Sequence, residues 1–301
     1  VAFHPGVRVK SLLTGGNSFV SNAIGPALLA AGQELTICIR PGQPAPEWAK
    51  GAGAAATIAH ADLAGGGDLT GLVADHEVII HTAGRLENPE VLASALRREN
   101  LATTEALIAA SLATGRPKII HFSSLSVYGV IEAEIVDEDT PSREPTAYGT
   151  SKRSAERALA RVGAKIASVS LRLPGIIGPF AHENWLSRCR ATLRAGAPFL
   201  VTNPNFLFNN VCHTKDLADF IVALCDREWS GAHAFPVGAG TPMTISEIVE
   251  VMRRSLGSSS RIDIVETGLA PFSISSALAI QSFGYQPRPV REIIQRFVLD
   301  P

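Results

Sequence analysis

The chain has 301 residues, with 27 Lys plus Arg against 28 Asp plus Glu, a net charge of −1, 46% hydrophobic and 18% charged residues. That length buries a core without disulfide or metal staples, and the balanced charge and apolar content exclude a chain-wide nucleic-acid footprint and a largely disordered chain. No apolar run approaches the roughly 18–20 residues that cross a bilayer, no basic and apolar leader opens the chain, and Cys38, Cys189, Cys212 and Cys225 show no metal-ligand spacing, so a cytoplasmic protein with reduced thiols, no metal, and no membrane or nucleic-acid partner is expected.

Residues 7–13 read as a short apolar strand that runs into Thr14-Gly15-Gly16. Phe19, Val20, Ala23, Ile24, Ala27, Leu28 and Ala31 then recur at three- and four-residue spacing, one buried face of a helix that Gly32 ends. Gly25-Pro26 falls inside it, where a kink is expected. Further strands are predicted at 35–39, 57–61, 78–81, 118–123 and 168–172, with helices near 89–114 and 148–162. Apolar strands alternating with helices imply an α/β fold, a doubly wound parallel sheet of the Rossmann type, with ligands beyond the carboxyl ends of the strands. After about Gly175, Pro, Gly and Asn become frequent and helices at 185–195, 215–226, 244–256 and 290–297 are joined by irregular segments. This predicts a dinucleotide-binding domain over 1–175 and a smaller C-terminal α/β substrate lobe over 176–301, with about 205–226 returning to the first domain.

A glycine-rich turn before the first helix suits a pyrophosphate, because helix N-terminal N–H groups and the helix dipole favour an anion. Thr14 to Ser21 resembles the T-G-G-x-G-F-x-G turn of short-chain dehydrogenases/reductases, yet Ser18 and Ser21 stand at its second and third glycines. Ser21 is small enough for helix and strand to pack closely. Ser18 puts a Cβ where the backbone approaches the phosphates, and its hydroxyl offers a compensating hydrogen bond. His60-Ala61-Asp62-Leu63 ends the third strand with an acid placed either for an adenine amino group or as a helix N-cap. Thr82-Ala83-Gly84 closes the fourth strand with small residues that fit against a cofactor. The second strand ends Cys38-Ile39-Arg40 with no acid for a ribose 2′-hydroxyl, so NAD(P) is expected with a lean to NADP through Arg40, unless Arg40 is simply solvated.

Tyr148-Gly149-Thr150-Ser151-Lys152 puts Tyr and Lys on one helix face, where an ammonium favours phenolate and lowers the tyrosine pKa for proton exchange. Twenty-four residues before Tyr148, Ser124 sits in Ser123-Ser124-Leu125-Ser126-Val127-Tyr128-Gly129 at the end of a strand. These strings resemble the S-S-x-x-V-Y-G and Y-x-x-S-K-x-x-x-E motifs of extended short-chain dehydrogenases/reductases of the NAD-dependent epimerase/dehydratase family, with Tyr148, Ser151, Lys152 and Glu156 on the second. Asn100 in Asn100-Leu101-Ala102-Thr103-Thr104 is similar to N-x-x-G-T. Arg172 to Pro179 resembles R-x-x-x-x-x-G-P, His213 to Ala218 resembles H-V-x-D-L-A, and Phe283 to Pro287 resembles L-G-Y-x-P. The matches span residue 7 to about 289.

The resemblance implies Tyr148 as general acid/base, Lys152 as its pKa modifier and ribose ligand, Ser124 as holder of the reacting oxygen and Asn100 as support of a proton relay. It implies a cofactor site of Gly15, Asn17, Ser18, Phe19, Val20, Arg40, Asp62, Leu63, Thr82, Ala83, Gly84, Tyr148, Lys152 and Pro174. The plainer roles are a strand-end cap for Ser124, a helix hydrogen bond for Asn100, and structural histidines at His81, His121 and His213. Family dehydratases carry an acidic pair where this chain has Leu125-Ser126. Asn209 or Asn210 and Gly175 replace residues that face a diphosphate in family epimerases, although Arg188, Arg190 or Arg194 could reach in. The expected activity is hydride transfer at a secondary alcohol or ketone of a nucleotide sugar, by an epimerase or ketoreductase rather than a dehydratase. The alternatives are an NADPH-dependent reductase of a non-sugar ketone or aldehyde, and a catalytically silent NAD(P)-binding regulator. A homodimer is implied through the helices carrying Asn100 and Tyr148, with Ala102, Leu107, Ala110, Ala155 and Ala158 as packing surface.

Overall fold

The computed structural model describes residues 9–87, 92–115, 117–181 and 184–301, so the predicted strand start at Val7 and helix start at Pro89 lie outside the described residues. Strands β1 Lys10–Thr14, β2 Glu34–Ile39, β3 Ala56–His60, β4 Val78–His81, β5 Lys118–Ser124, β6 Ser168–Leu173 and β7 Ala232–Pro236 form one seven-stranded sheet in the order β7-β6-β5-β4-β1-β2-β3. Leu12, Leu13 and all of β4 are buried, as strands covered on both faces require. The pairs β1–β2, β1–β4, β2–β3 and β4–β5 are parallel, and Thr14 stands opposite both Cys38 and His81. The carboxyl ends of β1, β2 and β4 are therefore level where the strand order reverses, the place at which doubly wound sheets bind ligands.

Helix α1 runs over Ser21–Ala30, through Pro26 without interruption. Gly25 has its own reason: a Cβ there would stand 2.1 Å from the Trp48 ring, so only glycine lets that indole lie on the helix. Helices α2 Thr70–Val73 and α3 Ala93–Thr114 follow, the latter ended by Gly115 at φ +66°. Helix α4, Ala147–Val162, opens on Thr146, whose side chain accepts from the Gly149 N–H at 3.2 Å. Leu107, Ile108 and Ala110 of α3 and Ala158 and Leu159 of α4 join Leu12, Ile79 and Ile119 of the sheet in one core.

The chain divides into two compact units. The first holds the described residues through Gly129 with Glu144–Arg172 and Ala218–Phe235, and the second holds Val130–Arg143, Leu173–Leu217 and Pro236–Pro301. The return to the sheet unit thus falls at 218–235, where β7 completes the sheet edge, and 130–143 belongs to the second unit, where Ile135–Val136 pairs with Ser273–Ile274.

The second unit carries α5 Trp185–Arg194, the first turn of α6 Thr214–Cys225, α7 Ile245–Ser255, α8 Ala277–Phe283 and α9 Val290–Leu299. Its strands are short pairs: Gly175–Ile177 with Val211–His213, Phe199–Thr202 with Ile262–Val265, and Leu207–Phe208 with Met243–Thr244. Buried Asn209 ties it together, donating to the carbonyls of Ala239 and Ile274 and accepting from the Ile274 N–H at 2.8 Å. None of the described helices is long and apolar enough to cross a membrane.

Candidate active site

The first unit contains a cleft of about 790 Å³ along the level carboxyl ends of the strands. It is lined by ten of the residues the sequence assigns to the site: Gly15, Asn17, Ser18, Arg40, Asp62, Leu63, Thr82, Ala83, Gly84 and Asn100. Phe19 and Val20 lie just beyond its lining at the start of α1, and buried Pro174 lies in the second unit.

The turn after β1 shows why its two remaining glycines are needed. Gly15 has φ +69°, and a Cβ on it would stand 2.8 Å from Thr82 Oγ1 and 2.9 Å from the Ala83 backbone. A Cβ on Gly16 would stand 2.3 Å from an Ile37 methyl. Among the described residues, the N–H groups of Asn17, Phe19 and Val20 donate no backbone hydrogen bond, which leaves an anion cradle at the start of α1. The Ser18 hydroxyl is engaged inside the loop, 2.8 Å from Ser21 Oγ and 3.1 Å from Thr82 Oγ1, rather than pointing its proton at an incoming phosphate. Asn17 reaches to Gln43 and to the Pro44 carbonyl. Arg40 is exposed at the cleft, past the end of β2. Asp62 caps a turn, not a helix: its carboxylate accepts from the Ala64 N–H at 3.1 Å.

At the other end of the cleft, Gly84 brings the lining to Lys152: a Cβ on it would stand 3.2 Å from Lys152 Nζ and 3.6 Å from Asn100 Oδ1. Both ends of the Asn100 amide are bonded. It accepts from the Arg85 N–H at 2.7 Å and donates to the Arg85 carbonyl and to Ser151 Oγ, both at 3.0 Å. Ser151 donates in turn to the Tyr148 carbonyl at 2.7 Å, so Asn100 braces the turn that holds Tyr148.

Lys152 donates to the Phe122 carbonyl at 2.7 Å, and its ammonium lies 5.8 Å from the centre of the Tyr148 ring. Burial pulls Lys152 down to about 8, against the neighbouring charge of Glu156, which supports the ammonium. Burial likewise pushes Tyr148 up to about 12. The downward shift expected from the Tyr-Lys spacing is thus outweighed by desolvation of the phenolate, and Tyr148 is held in its protonated form.

Ser124 has the capping geometry weighed from sequence, accepting from the Ser126 N–H at 3.2 Å and donating to Ser126 Oγ at 3.1 Å. Close contact fixes this turn against α4, because a Cβ on Gly149 would stand 2.0 Å from the Ser126 carbonyl oxygen. Beneath it lies a buried network that spacing alone did not reveal. Glu156 accepts from Ser123 Oγ at 2.6 Å and from Arg172 through two nitrogens at 3.2 and 3.0 Å, while Arg172 also donates to the Tyr128 hydroxyl at 3.0 Å.

The histidines are structural. Burial, with repulsion from Lys152, lowers His81 to about 3 and His121 well below its ordinary value, so both are neutral. His81 links Thr14 Oγ1 at 2.9 Å to Thr104 Oγ1 at 3.1 Å, and His121 bonds Ser170 at 3.0 Å. In the second unit His213 bonds Asp300 at 3.0 Å and accepts from the Lys215 N–H. Arg190 and Arg194, weighed from sequence for a diphosphate, are bonded to the end of α9. They donate to the carbonyls of Phe297, Val298 and Asp300 and satisfy the open end of α9.

Lys152, Tyr148 and Ser124 lie outside the cleft lining, with Lys152 next to Gly84 at its edge. A doubly wound sheet with a cleft at its switch point and a buried lysine one helical turn from a tyrosine defines a dinucleotide-dependent enzyme of the extended short-chain dehydrogenase/reductase kind. The chain belongs to the NAD dependent epimerase/dehydratase family, whose model matches residues 11–238. It is 26% identical over 279 residues to a UDP-glucose 4-epimerase of Azospirillum brasilense, covering 82% of this chain and 78% of that one. In fold it matches a Bordetella bronchiseptica enzyme solved in complex with NAD+ (TM-score 0.82, 21% identity, 97% and 98% of the two chains). It also matches a dTDP-glucose 4,6-dehydratase from Streptomyces venezuelae solved with NAD (TM-score 0.77, 20% identity, 96% of each).

Proposed function

We propose that this enzyme is an NAD(P)-dependent epimerase or ketoreductase acting on a secondary alcohol or ketone of a nucleotide sugar. The observation that carries the proposal is Lys152, a buried ammonium held on the Phe122 carbonyl one helical turn from Tyr148 and next to Gly84, which lines the same cleft as the glycine turn. A nicotinamide dinucleotide bound along that cleft supplies hydride transfer. The open N–H groups of Asn17, Phe19 and Val20, the φ > 0 turn at Gly15 and the bare edge at Gly84 suit such a ligand, with Asp62 and Leu63 beside its adenine end.

Protonated Tyr148 gives its proton to a carbonyl oxygen, the phenolate it leaves takes a proton from a hydroxyl in the opposite direction, and Ser124 holds that oxygen. Lys152 stabilises the phenolate formed when Tyr148 gives up its proton, and Asn100 keeps the Tyr148 turn in register. Leu125 is buried and Ser126 is bonded to Ser124, so neither offers the acid and base that eliminate water. That favours epimerisation or ketone reduction over dehydration, as does the epimerase relative. Of the residues expected to form a dimer surface on α3 and α4, Leu107, Ala110, Ala155 and Ala158 are buried within the chain, so a homodimer through these helices would use their other faces.

Arg40 supports a second reading, an NADPH-dependent reductase of a non-sugar ketone or aldehyde, because no carboxylate follows β2 to receive a ribose 2′-hydroxyl. Two assays separate the readings. Protein purified without nucleotide is denatured and any released dinucleotide identified by mass, and the folded enzyme is assayed for interconversion of UDP-glucose and UDP-galactose. Bound NAD with interconversion supports the epimerase. An empty protein that NADPH but not NADH stabilises against heat supports the reductase. Binding of neither dinucleotide refutes both.

A further inference from the structure

The serines that replace two loop glycines are bonded into a closed group with Thr82. Thr82 Oγ1 donates to the Thr14 carbonyl at 2.7 Å, and Ser21 Oγ donates to the Gly15 carbonyl at 3.0 Å. Ser18 Oγ lies 2.8 Å from Ser21 Oγ and 3.1 Å from Thr82 Oγ1, and it accepts from the Ser21 N–H at 3.3 Å. Ser21 Oγ and Thr82 Oγ1 are 3.2 Å apart. Each hydroxyl has one proton. Two go to the carbonyls of Thr14 and Gly15, and the third, from Ser18, goes to one of its two hydroxyl neighbours. All three protons are therefore spent on the loop itself.

The group spans the loop at both ends. Thr14 and Gly15 precede the turn, Ser18 and Ser21 follow it, and Thr82 stands on the neighbouring strand exit. Thr82 is also the atom against which Gly15 packs, 2.8 Å from where a Cβ would be. A side chain at position 18 would otherwise stand in the approach to the phosphates. Tying its oxygen to Thr82 and Ser21 holds it within the loop, where the N–H groups of Asn17, Phe19 and Val20 donate no backbone hydrogen bond among the described residues.

We propose that the Ser18–Ser21–Thr82 hydroxyl group takes over the work of the two missing glycines, and that Thr82 is the positioning residue that presets the loop for the dinucleotide pyrophosphate. The inference rests on the dinucleotide reading of the cleft. It assigns Thr82 no contact with the ligand, only control of the loop that makes it.

The test is a double-mutant cycle read by calorimetric titration of nucleotide-free protein with NAD+ and with NADP+. Thr82→Val keeps the shape of the side chain and removes its hydroxyl. It should weaken whichever dinucleotide the parent binds by at least tenfold, and Thr82→Ser should restore the affinity. In a Ser18→Gly/Ser21→Gly background, which rebuilds the glycine turn, Thr82→Val should change Kd by less than threefold. Circular dichroism and thermal melting of the free proteins check that each variant folds. If Thr82→Val does not fold, Ser18→Ala in the parent takes its place, with the same tenfold loss expected. An unchanged Kd in the parent background, or equal losses in both backgrounds, overturns the proposal. A parent protein that binds neither dinucleotide overturns the reading of the cleft itself and the proposal with it.

Discussion

Lys152 is 5% exposed, and burial draws its ammonium from 10.5 down to about 8. That displacement means that holding the charged form inside the protein costs about 3 kcal/mol at neutral pH. Replacing Lys152 by Met keeps an apolar stem of similar reach and removes the charge. It also takes away the bond to the Phe122 carbonyl, a loss of about 1–2 kcal/mol. The variant should therefore be more stable than the parent by about 1–2 kcal/mol at pH 7 while losing turnover. The pH dependence separates this from a packing effect. Below pH 8 the lysine is protonated both folded and unfolded, so the full cost is present. Between about 8 and 10.5 the unfolded chain holds the proton that the folded protein has released, so parent stability climbs with pH relative to the variant. Urea unfolding of both proteins from pH 6.5 to 9.5 measures the gap, which should narrow above pH 8. A gap independent of pH across that range would refute the buried-charge reasoning.

Three further outcomes are expected. Tyr148→Phe should lower kcat by about 10² to 10⁴ with the fold unchanged by circular dichroism, and a variant of near-parental rate would remove Tyr148 from the acid/base role. Gly25→Ala should destabilise by about 1–3 kcal/mol in urea titrations, because its Cβ meets the Trp48 ring at 2.1 Å and overpacking outweighs the usual gain of Ala over Gly in a helix. Arg40→Ala should weaken NADP+ at least tenfold in calorimetric titration and NAD+ by less than threefold. Equal effects on the two would leave Arg40 a solvated surface residue.

Much of the first unit is legible in its sequence because a parallel sheet buries both faces of each strand. Val78–His81 is buried along its whole length, so an unbroken apolar run is enough to find it, and Gly32, at φ +82°, marks the end of the first helix. What pattern could not supply is contact between distant segments. Residues 232–236 form the seventh strand with only its last two residues fully buried, too weak a periodic signal to read. The purpose of Gly25 depends on Trp48, which approaches from a separate turn. Arg190 and Arg194 look like free cations on a helix, and only the end of α9 explains their use. The same limit applies to Asn100, whose amide is spent on Arg85 and Ser151 rather than on Lys152.

Tyr148 shows why the chemistry of a pair is harder to read than its position. The i and i+4 spacing correctly sets phenol and ammonium side by side, and Coulomb attraction then argues for a lowered tyrosine pKa. At an effective dielectric constant of about 20, a charge at the 5.8 Å that separates Lys152 Nζ from the ring centre is worth about 3 kcal/mol, or about two pKa units. Burial pushes the phenol the other way, from 10.0 to about 12. Burial alone accounts for that rise, and the ammonium, held on the Phe122 carbonyl, does not offset it. Lys152 gives up its own proton near 8, well below the pH at which Tyr148 titrates, so Lys152→Met should leave the Tyr148 titration, followed by tyrosinate absorbance, where it is in the parent. A rise on losing Lys152 would mean that the lysine still carries its charge at that pH, contrary to the buried-charge reasoning.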